Sequence, residues 1–130
     1  MSALSDYAEL KLLDHMVKSG ATWTNPGSVF LGLATTSFLD AGSGTELSGN
    51  GYARVEITFG TSAASGSISN TAAVEFSAAT GSWGTVSHFG IFDASTSGNL
   101  LVHSALDASK AISSGDVFKI AISGITVTAA

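Results

Sequence analysis

The sequence predicts a mainly β protein: an N-terminal α-helix followed by an antiparallel β-sandwich or barrel of seven or eight short strands. Three observations carry that expectation. Apolar residues recur at helical spacing only near the N-terminus, the pattern then changes to alternation with a period of two, and Gly, Ser, Asp and Asn punctuate the alternating runs. At 130 residues the chain is the size of one domain with one core, so residues 1–130 read as a single β-rich unit.

The helix is expected over about residues 5–19. Tyr7, Leu10, Leu13 and Val17 recur on one stripe, Leu12 and Met16 widen it, Asp6 and Glu9 resemble a capping pair, and Gly20 follows Lys18 as a stop signal. Such a stripe packs either on the chain's own sheet, the simpler reading, or on another chain. After the turn Trp23-Thr24-Asn25-Pro26-Gly27, Val29, Leu31 and Leu33 alternate with Phe30, Gly32 and Ala34, which predicts a strand buried on both faces. Ala53, Val55, Ile57 and Phe59 alternate with Arg54, Glu56 and Thr58 as a half-exposed strand. Runs at about 72–76, 85–92, 99–105, 117–122 and 125–128 supply the remaining strands.

Between them, about residues 35–52 form a long loop without periodicity, holding Gly42, Gly44, Gly49 and Gly51, with Phe38 and Leu39 beside Asp40. Loops of this length are commonly functional. Two readings stay open: Phe38 and Leu39 anchor an arm on a neighbouring subunit, or the loop folds back over its own sandwich.

Composition bounds the function. Gly, Ser, Ala and Thr occupy 68 of 130 positions, and charged residues make up 12%, about half the usual level. A compact monomer of this mass exposes roughly 6,300 Å², so ten acids and five bases leave wide uncharged areas suited to being covered by other protein. The net charge is −5, and no base lies between Lys18 and Arg54 or between Arg54 and Lys110. Direct nucleic-acid binding is therefore not expected. The uncharged stretches 19–39 and 57–74 are broken by Asn25-Pro26-Gly27 and by Gly/Ser clusters, so no membrane span is expected; Met1-Ser2-Ala3-Leu4-Ser5-Asp6 lacks a basic-then-apolar pattern, so no secretory signal is expected either.

No catalytic constellation stands out. Cysteine is absent, which removes disulfides, thiolate metal sites and cysteine nucleophiles. His15, His88 and His103 are dispersed without metal-ligand spacing. The serines lack a G-x-S-x-G elbow, and the glycines of 42–51 lack a phosphate-binding pattern and a following helix. No enzyme activity, metal or cofactor is expected. Trp23, Tyr52 and Trp83 read either as a sugar-stacking platform or, more simply, as core.

Gly49-Asn50-Gly51-Tyr52-Ala53-Arg54, Ser69-Asn70-Thr71-Ala72-Ala73-Val74-Glu75-Phe76 and the run Ala79 to Asp93 around Gly81-Ser82-Trp83-Gly84 carry a resemblance. Gly98-Asn99-Leu100-Leu101, Ser114-Gly115-Asp116-Val117-Phe118 and Ile125-Thr126-Val127-Thr128 continue it. Together they resemble small virion structural proteins of tailed bacteriophages. The resemblance implies a β-rich capsid decoration (cement) protein on the capsid exterior, made in the host cytoplasm and bound to the major capsid protein. The alternative it implies is a tail-fibre or host-recognition module binding surface glycans. The chain shows no collagen-like repeat or coiled coil, which favours the cement reading. A homotrimer is expected, because cyclic symmetry matches threefold capsid sites. Candidate interface residues are Tyr7, Leu12, Met16, Phe38, Leu39, Tyr52, Arg54 and Trp83, with Arg54 pairing an acidic capsid residue.

Overall fold

The helix begins with a serine that serves two elements at once. In the computed structural model, which describes residues 3–20, 23–41, 44–60 and 66–128, α1 covers Asp6–Val17. Its N-cap is Ser5, not the expected Asp6 and Glu9 pair. The Ser5 hydroxyl accepts from the Ala8 amide at 3.2 Å and donates to the Leu100 carbonyl, while the Ser5 amide donates to the Leu101 carbonyl at 2.8 Å. Ser5 is fully buried, so one small polar residue starts the helix and fastens it to the sheet.

Among the described residues, nine strands accompany α1: β1 (Ala3–Leu4), β2 (Val29–Ala34), β3 (Val55–Ile57), β4 (Ser67–Ser69), β5 (Val74–Glu75), β6 (Gly84–Phe92), β7 (Leu100–Ile112), β8 (Lys119–Ile120) and β9 (Thr126–Thr128). Five of them form one antiparallel sheet in the order β1-β7-β6-β2-β3, and two antiparallel ribbons, β4-β9 and β5-β8, complete the molecule. This is the mainly β, antiparallel architecture with an N-terminal helix that the periodicity predicts. The strands of β2 and β6 are buried on both faces at their paired ends, as the continuous apolar runs require.

One face of the large sheet meets the main core, where Leu31, Leu33, Phe89, Ile91 and Leu101 pack with Phe76, Trp83, Phe118 and Ile125. The other face holds a smaller cluster of Ala34, Phe38, Phe92 and Leu100. Room for it comes from two glycines placed opposite each other, Gly32 on β2 and Gly90 on β6. A Cβ on Gly32 would lie 2.9 Å from the Phe92 ring, and one on Gly90 2.8 Å from Leu100 and 3.2 Å from Phe38. The pair is thus a slot for aromatic rings.

Part of the 35–52 segment closes that slot. Ala34 bridges to Glu46, the Leu47 amide donates to the Leu33 carbonyl at 2.9 Å, and Phe38 is 3% exposed against Phe92. Asn70 does comparable work at the ribbons: buried, it donates to the carbonyls of Ala72 and Ala121 and accepts from the Ile125 amide.

Candidate assembly surface

The helix stands off the body that it was expected to cover. Ala8 is buried and Tyr7 and Leu12 are half-buried, whereas Leu10, Leu13, Met16 and Val17 are 56–79% exposed. At 3.6 residues per turn, Ser5, Ala8, Leu12 and His15 share the side facing the sheet, and Leu10, Leu13 and Val17 share the opposite side. The sequence expectation that the main stripe packs inward is therefore corrected. The narrower Ala8 and Leu12 face does the packing, because small Ala8 lets the helix approach β7 while the Leu10 stripe points away. The chain exposes 7271 Å², more than the roughly 6,300 Å² of a compact monomer of its mass.

Beneath α1 lies an apolar groove of about 580 Å³. Leu4, Ala8 and Leu12 form one wall, Val29, Ile57 and Phe59 another, and Trp23 and Glu56 also line it. The Trp23 amide donates to Nδ1 of His15 at 3.3 Å, which ties the connection after the helix back to its last turn. Leu39 adds a second exposed apolar side chain near Asp40, whose carboxylate meets Nε2 of His103 at 2.6 Å.

The Arg54 environment is interior chemistry. Its side chain is 8% exposed; Nε and Nη2 donate to the two oxygens of Glu46 at 2.9 and 2.8 Å, and Nη1 donates to the carbonyls of Ala94 and Ser97 at 2.8 Å each. The guanidinium stacks 3.6 Å from the centre of the Phe92 ring. Next to it, the Tyr52 hydroxyl donates to Glu46 at 2.5 Å and accepts from the Leu33 amide at 2.9 Å. Trp83, 6% exposed, donates its indole N–H to the Asn50 carbonyl at 2.9 Å and packs against Tyr52 and Phe76.

Burial and then the hydrogen bond to Glu46 push the Tyr52 phenol far above its ordinary value of 10.0. The folded chain therefore keeps this proton at a pH where the unfolded chain loses it. The associated stability is intact below about pH 10 and is lost as pH rises beyond it. Chemical denaturation of the wild type is expected to lose stability more steeply above pH 10 than Tyr52→Phe. Parallel pH profiles would remove Tyr52 as the cause.

These positions correct the expected interface. Phe38, Arg54 and Trp83 are engaged inside the chain, and Tyr52 is half-buried with its hydroxyl doubly bonded. Arg54 has its acidic partner in Glu46, so it is not a free cation awaiting a capsid carboxylate. Trp83 and Tyr52 do not present faces for stacking on a sugar, and Trp23 is half-buried at the groove. Of the expected set, Met16 and Leu39 are exposed, Leu12 lies half-buried on the helix's packed side and Tyr7 half-buried at its flank. Leu10, Leu13 and Val17 form the exposed stripe instead. The signal for it was a helix apolar on two sides, since one domain face covers only one. Among the described residues no three His, Asp or Glu side chains are grouped to hold a metal ion, and no helix is long and apolar enough to cross a membrane.

Fold and surface together define a small antiparallel β protein with an amphipathic helix whose apolar stripe is left uncovered. The family model described as podophage GP4 fiber I protein gp80 matches residues 3–128, and the chain belongs to that family. It is a bacteriophage virion structural protein. No curated protein matches it.

Proposed function

We propose that the chain is a non-enzymatic structural subunit of a fibre on the virion, joined to its neighbours through the exposed face of α1. The observation that carries this reading is the match of a fibre-protein family over residues 3–128, in place of the cement role expected from sequence. The uncovered Leu10, Leu13, Met16 and Val17 side chains support an assembly contact. Buried Trp83 favours a scaffolding role over glycan capture by that ring. Three of the carboxylates are committed to structure: Glu46 to Arg54, Asp93 to Asn99, Asp116 to the Ser113 amide.

Quantitative mass spectrometry and antibody labelling of purified virions test the reading. Label confined to fibres, at a copy number far below that of the major capsid protein, is expected. Label spread over the shell at a copy number comparable to that protein would overturn it in favour of capsid decoration.

A further inference from the structure

Helix α1 carries a charge pattern that selects its partner. Asp6 lies in line with the outward stripe, Lys11, Asp14 and Lys18 lie along one flank, and Glu9 lies on the other. If copies aligned their helices in parallel, as a threefold bundle requires, the Asp6 carboxylates would meet at the axis and Glu9 would face the partner's Asp14. Reversing one helix removes both conflicts. Asp6 then falls beside the partner's Lys18, Lys11 beside the partner's Asp14, and Glu9 beside the partner's Met16. The apolar side chains interleave evenly about a two-fold point near Leu12 and Leu13. Among the described residues none of Asp6, Lys11, Asp14 and Lys18 is held in an ion pair within its own chain.

We propose that α1 is a self-pairing contact in which two copies of this chain pack their helices antiparallel through Leu10, Leu13, Met16 and Val17. The proposal rests on reading the outer stripe as an assembly contact and names its occupant. Because Leu10, Leu13 and Val17 point away from the sheet, with Met16 on the Glu9 flank, the two β bodies fall on opposite sides of the helix pair and do not collide. The contact is small: the four side chains leave roughly 450 Å² open on each copy, about half of a standard partner surface. The pair therefore forms at high concentration, or where copies are already held side by side in a virion. An isologous contact of this kind closes on itself and does not propagate.

Sedimentation velocity of the full chain from micromolar to millimolar concentration is expected to show a monomer–dimer equilibrium, and Leu13→Glu to weaken it at least tenfold. Single cysteines then read the direction, in a chain that has none of its own. Oxidised Leu13→Cys is expected to give a covalent dimer, because the two residues sit beside the two-fold point. Val17→Cys is expected to form no covalent dimer, because its counterparts are separated by about 13 Å along the helix axis. Cross-linking of both variants would show parallel helices and overturn the proposal. A wild type monomeric at millimolar concentration, a trimer, or a dimer in which Leu13→Cys fails to cross-link would do so as well. These positions are exposed, so circular dichroism is expected to report an unchanged fold. A fibre-labelled chain that stays monomeric would defeat the pairing alone and leave the fibre assignment standing.

Discussion

Arg54→Ala is expected to destabilise the fold by about 3–5 kcal/mol, the range for removing one partner of a buried ion pair. The substitution frees four donor contacts at once. Glu46 loses both of its guanidinium bonds, the Ala94 and Ser97 carbonyls lose their shared donor, and the Phe92 ring loses the plane stacked on it. Glu46 is 22% exposed and regains water, which sets the expected loss near the lower end of that range. Urea unfolding measures it. Arg54→Lys keeps the charge but not the two-pronged geometry and should recover less than half of the loss. Arg54→Ala combined with Glu46→Ala is expected to lose less than the two single variants summed, because the second change removes the stranded carboxylate. Additive losses would mean that the pair is not energetically coupled. Hydrogen exchange should rise at 94–97, since Arg54 is the staple between the 46–54 segment and the β6-β7 connection.

Much of this architecture was legible because it follows from side-chain period. Residues 29–34 read as a strand from their alternation and about 85–92 from an apolar, β-branched run between turn residues, and the helix ends within two residues of its expected limits on both sides. What escaped is what depends on long-range pairing. β1 is two residues long and exists because β7 offers Val102 and His103 as partners; β4 exists because β9 lies beside it. β7 continues to Ile112, past the expected end, because β6 supplies a pairing edge as far as Gly84, with an irregularity between Val86 and His88 that absorbs the extra residues. The site was misread for the same reason. Arg54 alternates with apolar neighbours as an exposed strand residue would, and only the return of Glu46 across the sheet turns it inward. Nothing local announces an ion pair between residues that approach through a loop. The helix is the converse case: its two apolar sides are written in the sequence, but which side the body takes depends on Ser5 fastening to β7.

Phe76→Ala is expected to cost about 3–5 kcal/mol, the usual loss for a fully buried aromatic ring, and to lower Tm by roughly 10–20 °C for a domain of this size. Phe76 is 2% exposed and is the centre of the aromatic cluster: its ring centre lies 6.1 Å from that of Tyr52, 6.3 Å from Trp83 and 5.7 Å from Phe118. Those three come from separate parts of the chain, so the ring joins the 50–54 turn, the entrance to β6 and the segment before β8. Phe76→Leu fills most of the volume and should lose well under half as much. Leu13→Ala provides the contrast. Its side chain is more than half exposed and outside the core, so its unfolding curve should stay close to the wild type while any self-pairing weakens. If Phe76→Ala left stability intact, the aromatic cluster would not be the core of this fold. If Leu13→Ala were the more destabilising of the two, α1 would be packing its Leu10 and Leu13 side against the body, and the surface assigned to assembly would belong to the interior.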